Sequence, residues 1–144
     1  MPRAWLLDTN VVSELRKAGR ANPGVRAWAA SVPPVHCYLS LVTVVEIRDG
    51  IQGVADAAFR AELETWLVQG VRVWFGERIL PVDEEVLLTW RRLGAAGRRT
   101  KYTYSQPDAL IAATALVHDL GVVTRNVADF DRAGVALINP WAGR

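Results

Sequence analysis

The sequence of 144 residues is poor in the residues that form disulfides and zinc sites. It contains one cysteine, Cys37, and two histidines, His36 and His118. An internal disulfide is therefore excluded, and a Cys/His zinc site is not available. Cys37 lies in an apolar run, which favours a small core residue over a nucleophile. The absence of disulfides suits a reducing compartment, and we expect a cytoplasmic protein.

The sequence also lacks an apolar run near the length of about 20 residues that spans a bilayer, so we expect no membrane association. The short apolar run at the N-terminus reaches Asp8 at once, and no secretory signal is visible. The formal net charge is only +2, so the overall charge says little about partners. Because repeats, low-complexity tracts and linkers are missing, we predict a single domain over residues 1–144.

Short apolar runs alternate along the chain with segments of helical periodicity. We predict strands at residues 4–7, 35–39, 78–82, 122–124 and 135–138. We predict helices through Glu14 and Leu15 as far as Gly19, then over 23–30, 41–53, 55–69, 84–93 and 106–120. Gly121 is predicted to close the last helix, and 94–104 is predicted to be a Gly- and Arg-rich loop. This alternation predicts a parallel sheet covered by helices on both faces.

Four acidic residues map to one end of the predicted sheet: Asp8, Glu46, Asp108 and Asp129. Asp8 ends the first strand, and Glu46 and Asp129 come soon after the ends of two others. A helix that feeds a parallel strand runs antiparallel to it, so Asp108, at the start of such a helix, returns to the same edge. Ligands bind at the carboxyl ends of the strands in open parallel sheets.

Each acid also has a purely structural explanation. Asp8 can cap the helix that follows it, Thr43-x-x-Glu46 and Ser105-x-x-Asp108 match helix capping boxes, and Asn126 to Asp129 can be a turn. The shared location of the four acids favours a site instead. Carboxylates brought close together resist ionisation unless a cation lies between them. Oxygen ligands without Cys or His favour Mg²⁺ or Mn²⁺, and such an ion suits phosphodiester hydrolysis.

Five sequence strings resemble a known family: LLDTNVVSEL (6–15), SLVTVVEIRDGI (40–51), DALIAATAL (108–116), VVTRNVADF (122–130) and LINPW (137–141). In this order and spacing they resemble the PIN domain, specifically the VapC-type toxins of bacterial toxin–antitoxin pairs. The resemblance implies a three-layer α/β/α sandwich with a mostly parallel central sheet and a Mg²⁺-dependent endoribonuclease. It also implies a homodimer, inhibited by a cognate antitoxin whose C-terminal segment lies across the active site.

The resemblance also implies roles for individual residues. The catalytic acids are Asp8, Glu46, Asp108 and Asp129, of which Asp8 and Asp108 are the surest metal ligands. Thr9, Thr124 and Asn126 support the site through hydrogen bonds. The stretch GRRTKYTYSQP (97–107) before Asp108 is longer and more basic than the lead-in of many members.

Cations and aromatic rings alternate in this part of the chain: Arg91, Arg92, Arg98, Arg99 and Lys101 precede Tyr102 and Tyr104. Such a pattern suits a phosphate backbone and stacked bases, although a solvated helix face and loop would look the same. Our hypothesis is that Arg98, Arg99 and Lys101 steer RNA toward the acids.

Three other functions stay open at this point. A catalytically silent module could use the same surface to bind RNA or a partner protein. An aspartate-dependent phosphatase is disfavoured, because Asn10 stands where such enzymes need a second acid. Cleavage of DNA is disfavoured by the small size of the chain, although nothing in the sequence identifies a residue that reads the ribose 2′-hydroxyl.

Overall fold

The computed structural model describes residues 2–142 and is organised around a five-stranded parallel sheet. Its strands are β1 (Trp5–Leu7), β2 (Cys37–Ser40), β3 (Ile79–Leu80), β4 (Gly121–Val123) and β5 (Leu137–Ile138). They lie in the order β3-β2-β1-β4-β5, and all four pairings are parallel. The strands are short, with two to four residues each, and β1 lies at the centre.

The helices are α1 (Thr9–Leu15), α2 (Pro23–Ser31), α3 (Leu41–Gln52), α4 (Ala57–Thr65), α5 (Arg72–Phe75), α6 (Glu84–Arg99), α7 (Gln106–His118) and α8 (Val127–Ala133). A π-helical segment, Trp66–Val71, joins α4 to α5. Short 3₁₀ turns occupy Ala18–Arg20, Pro34–His36, Gly76–Arg78 and Pro140–Ala142. None of the helices in residues 2–142 has the length and apolar character needed to cross a membrane.

Two apolar cores form because the strand side chains alternate between the faces of the sheet. Leu7 and Val123 point into one core, together with side chains of α1 to α5. Leu6 and Val122 point into the other, against α7 and α8. Side chains of β1 and β4 are therefore buried on both faces, as expected for a parallel sheet between two helical layers. The predicted three-layer α/β/α sandwich is confirmed.

Helix α6 is longer than the sequence predicts, because it continues through residues 94–99, where we expected a loop. Gly94 and Gly97 caused the error, since glycine has low helix propensity. Gly97 is buried, and a Cβ there would lie 2.5 Å from the Tyr102 carbonyl oxygen. The glycine is thus needed for close packing of the following segment against the helix, rather than for a loop.

Helix α7 is closed by Asp119. The prediction that Gly121 closes it is wrong. Asp119 has a left-handed backbone (φ 56°), and the Leu120 amide donates to the Ala115 carbonyl at 2.9 Å. Gly121 instead begins β4, where a Cβ would lie 2.4 Å from the Trp5 ring. The residues from Asn126 to Asp129, which the sequence allows to be a turn, instead lead into α8. This helix ends at Gly134, which has a left-handed backbone.

The end of α6 is a left-handed turn that contains Lys101 (φ 61°). The Tyr102 amide donates to the Gly97 carbonyl at 2.7 Å, and the Lys101 amide donates to the Arg98 carbonyl at 3.3 Å. These two bonds define a Schellman cap, in which glycine usually occupies the left-handed position. Lys101 therefore has a backbone role in addition to its charge.

Substitution of Lys101 tests whether its left-handed backbone is strained. We expect Lys101→Gly to raise the free energy of unfolding by up to about 1 kcal/mol, because a left-handed conformation disfavours residues with a Cβ. Lys101→Ala removes the same charge but keeps the Cβ, so it should show no such gain. Urea denaturation measures both variants. Equal stabilities of the glycine and alanine variants would contradict the assignment of the strain to the backbone.

Candidate functional site

Asp8 lies at the carboxyl end of the central strand and caps the N-terminus of α1. Its Oδ1 accepts a hydrogen bond from the Thr9 amide at 2.8 Å. Its Oδ2 accepts from Thr124 Oγ1 at 2.7 Å and from Asn10 Nδ2 at 3.2 Å. The residue is only 4% exposed. Burial raises the pKa of the Asp8 carboxyl, and the hydrogen bonds from Thr124, Thr9 and Asn10 act in the opposite direction.

Asp108 lies in the first turn of α7 and is half-buried. Asn126, just before α8, donates from Nδ2 to Asp108 Oδ2 at 3.4 Å. The pKa of Asp108 is raised to about 7 by burial first, then by the negative charge of Asp8, and then by its hydrogen bond and repulsion with Asp129. Two acids from other parts of the chain, Asp8 and Asp129, thus make ionisation of Asp108 more difficult. The site is destabilised when all of them are ionised.

Asp129 caps α7 from a different element of the fold. Ser105 Oγ accepts from the Asp108 amide at 3.3 Å, which forms the first half of the predicted capping box. The second half is supplied by Asp129, whose Oδ2 accepts from the Ser105 amide at 3.0 Å. The other oxygen of Asp129 accepts a hydrogen bond from the Tyr102 hydroxyl. The carboxylate of Asp108 is therefore not used as a cap.

Glu46 lies on α3 and is linked to the site through Thr9. Thr9 Oγ1 donates to Glu46 Oε1 at 2.6 Å, and it also lies 3.2 Å from Thr43 Oγ1. The capping-box interpretation of Thr43 and Glu46 is wrong, because α3 begins at Leu41 and Ser40 is its cap. Thr43 is buried, and the carboxylate of Glu46 accepts from Thr9, the residue that follows Asp8.

The polar support of the site centres on the Thr124 hydroxyl. Thr124 Oγ1 donates to Asp8 and accepts from the Asn126 amide at 2.9 Å, so it joins β4 to β1 and to the start of α8. Asn10 adds a second link, because its Nδ2 lies 3.3 Å from Thr124 Oγ1 and its Oδ1 accepts from the Arg125 amide at 3.3 Å. We had not predicted Asn10 or Tyr102 as site residues. Their sequence signals are the position of Asn10 within the string LLDTNVVSEL and that of Tyr102 within the basic stretch.

A model of the family described as PIN domain matches residues 5–136. The chain belongs to the PIN domain family. The PIN chain is 37% identical over 136 residues to Toxin FitB of Neisseria gonorrhoeae, covering 94% of this chain and 97% of the relative. It is 35% identical over 136 residues to VapC ribonuclease Y4jK of Sinorhizobium fredii, covering 94% and 96% respectively.

Solved structures agree with this assignment of the PIN domain. The crystal structure of FitAcB from Neisseria gonorrhoeae superimposes with a TM-score of 0.88 at 36% identity, covering 95% of this chain and 98% of that chain. Further solved structures with this fold are toxin–antitoxin complexes, and some contain bound DNA. The resemblance to VapC-type toxins is therefore confirmed over almost the whole chain.

The donor set of this PIN domain suits an open metal site and not a closed cage. Within residues 2–142, no group of three His, Cys, Asp or Glu side chains comes close enough together to hold a metal ion. Burial nevertheless raises the pKa of both Asp8 and Asp108, and the charge of Asp8 raises the pKa of Asp108 further. Mg²⁺ is usually held by one or two carboxylates and keeps several waters, which phosphate oxygens can replace. The residues present fit such a cation.

The three cations that we predict to bind RNA are exposed at the end of α6. Arg98 lines a groove beside α7, whereas Arg99 and Lys101 do not line it. Two further arginines, Arg91 and Arg92, line the same groove. The sequence pattern therefore does not separate the residues that line the groove from their neighbours, and RNA binding by these cations stays a prediction.

Proposed function

We propose that the chain is a Mg²⁺-dependent endoribonuclease and the toxin of a type II toxin–antitoxin system. Support for the toxin and ribonuclease assignment comes from membership of the PIN family and from relatives called Toxin FitB and VapC ribonuclease Y4jK. By the same resemblance, we propose a homodimer and a cognate antitoxin as partners, with RNA as substrate.

The observation that carries the proposal is the pair Asp8 and Asp108. The two carboxyls come from the end of the central strand and from the start of α7, and the charge of Asp8 makes ionisation of Asp108 more difficult. A protein that needed only helix caps would have no reason to bring these charges together. A cation between the two carboxyls removes the repulsion, so we assign them as the metal ligands.

The other polar residues orient these ligands. Thr124 and Asn10 bind Oδ2 of Asp8, and Asn126 binds Oδ2 of Asp108, so each carboxylate has a defined position before any cation arrives. We assign Glu46 and Asp129 as the remaining catalytic acids. Glu46 acts at the end of the sheet next to Thr9, and Asp129 acts beside Asp108.

The chemistry proposed for this site is hydrolysis of an RNA phosphodiester bond. A divalent cation bound there supplies polarisation of the phosphodiester and a lower pKa for the attacking water. The carboxylate ligands favour Mg²⁺, with Mn²⁺ as a substitute, because both are oxygen-seeking ions. The chain itself binds the ion and orients its ligands.

Metal removal is the direct test. We expect the purified protein to cleave single-stranded RNA in Mg²⁺, to lose cleavage in EDTA, and to regain it when Mg²⁺ or Mn²⁺ is added back in excess. Gel analysis of an end-labelled RNA measures the cleavage. The alternative function, a catalytically silent module that binds RNA or a partner, predicts no metal-dependent cleavage at all. Undiminished cleavage after complete chelation would rule out the proposed metal site.

A further inference from the structure

A groove of about 720 Å³ runs between α6 and the segment that precedes α7. Its size falls within the range of about 300–1,000 Å³ that is typical of ligand sites. Arg91 and Arg98 line it from α6, seven residues apart and thus on one face of the helix. Arg92 and Trp90 line it as well. Three arginines and an indole ring therefore line this side of the groove, while most of the lining surface is apolar.

The arginines of the groove are not neutralised by the protein. Within residues 2–142, no carboxylate lies within 4.0 Å of the guanidinium groups of Arg91, Arg92 or Arg98. The one salt bridge in this part of the chain joins Lys17 to Glu14, outside the groove. Three arginines without a carboxylate partner therefore line one concavity. Guanidinium groups bind phosphate oxygens in bidentate geometry, so the groove is complementary to a polyanion.

The opposite wall of the groove is aromatic and connects to the catalytic acids. Tyr102 and Tyr104 line it and contact each other edge to face, with ring centroids 4.9 Å apart. The Tyr102 hydroxyl donates to Asp129. The groove also reaches Gln106 and Ala109, on the same first turn of α7 that carries Asp108. A chain of nucleotides in the groove would thus continue toward the acids.

We propose that this groove binds one or two unpaired nucleotides of the RNA substrate next to the bond that is cut. Arg91 and Arg98 contact the phosphates, and Trp90 offers a ring on which a base stacks. Single-stranded RNA fits this chemistry because its bases are free to stack on side chains, whereas those of a duplex are not. The inference rests on the proposed ribonuclease function and names where its substrate lies.

Binding without cleavage tests the groove independently of the nuclease. Fluorescence anisotropy in EDTA measures the affinity for a short, unstructured, fluorescein-labelled RNA. We expect the double variant Arg91→Ala/Arg98→Ala to raise Kd at least about tenfold. The slope of log K against log [salt] should become shallower by about 1.4, because two phosphate contacts of single-stranded RNA are lost.

The matched control is Arg26→Ala/Arg72→Ala, which removes two exposed arginines outside the groove and leaves the same net charge as the groove variant. We expect its Kd to stay within about threefold of the parent. Trp90→Leu should weaken binding by about five- to a hundredfold, whereas Trp90→Phe should keep most of the affinity because a ring remains. Circular dichroism verifies that every variant is folded.

Three outcomes would overturn the groove assignment. The first is an equal loss of affinity for single-stranded RNA in the groove variant and in the control variant. The second is a loss of affinity for duplex RNA in the groove variant that equals its loss for single-stranded RNA. The third is no binding of single-stranded RNA by the parent protein. The ribonuclease proposal fails separately. If the parent binds RNA through the groove in EDTA but never cleaves RNA in Mg²⁺, only the nuclease is disproved. If cleavage depends on Mg²⁺ and the groove variants bind normally, only the groove is disproved.

Discussion

Asp8→Asn is expected to reduce RNA cleavage by at least about 100-fold, since loss of a hydrogen-bonding partner of a metal ligand already costs about 10- to 100-fold. The substitution keeps the shape of a side chain that is only 4% exposed. It removes the negative charge of Asp8, and it places an amide nitrogen at the position of one of the two oxygens, both of which accept hydrogen bonds. If the amide nitrogen takes the Oδ2 position, it meets the donors of Thr124 and Asn10.

Two measurements separate loss of the ligand from loss of the fold. Calorimetric titration with Mn²⁺ should show weaker binding by Asp8→Asn, and the thermal unfolding temperature of the metal-free protein should show that the fold survives. Asp131→Asn is the matched control, because Asp131 is an exposed aspartate on α8, outside the hydrogen-bonded site. Normal cleavage by Asp8→Asn, or an equal loss in Asp131→Asn, would contradict the assignment of Asp8.

Asp108→Asn is expected to stabilise the metal-free protein at pH 8 while it abolishes cleavage. The pKa of Asp108 is raised from 3.8 to about 7 by burial, Asp8 and Asp129. Between these two pH values the folded state binds more protons than the unfolded state. The free energy of unfolding therefore falls as the pH rises through this window, and the loss is complete above pH 7. The asparagine variant cannot lose a proton and escapes this penalty.

The size of this effect is set by the partial exposure of the carboxyl group. The full pKa shift corresponds to about 4 kcal/mol, and solvent screening of a half-exposed group reduces the expected gain to about 1–2 kcal/mol. Thermal unfolding in EDTA at pH 4 and pH 8 measures it: the variant should unfold a few degrees above the parent at pH 8, with the difference largely lost at pH 4. Excess Mg²⁺ should stabilise the parent more than the variant. A variant less stable than the parent at pH 8 would contradict the proposed repulsion.

The sheet and the positions of the principal acids could be predicted from the sequence because both depend on local patterns. Apolar runs such as WLL and VV mark strands buried on both faces, and the helical segments between them require parallel connections. Asp8 follows a strand directly, and Asp108 begins a helix that leads into one. Parallel connectivity then places Asp8 and Asp108 at the same end of the sheet without further information.

The errors arose where a distant segment decides the local structure. Glycine propensity predicts a loop after residue 93, but the backbone of Tyr102 packs against Gly97 and α6 continues. Glycine is typical of a position just after a helix, but Gly121 is a glycine because the Trp5 ring occupies the space where a Cβ would be. In both cases the glycine allows another part of the chain to pack closely against the backbone. The neighbouring residues in the sequence do not reveal that contact.

The sequence alone determined the fold class and the family, since these depend on the order of elements and on motifs along the chain, and it supplied the four acids that we propose as the site. Only the tertiary structure decided how the acids divide their roles. Asp129 takes over the helix cap at Ser105, so that Asp108 is left to interact with Asp8, and Arg98 but not Arg99 lines the groove. The physical reason is that hydrogen bonds and charge repulsion act over a few ångströms, and which side chains come that close is settled only by packing.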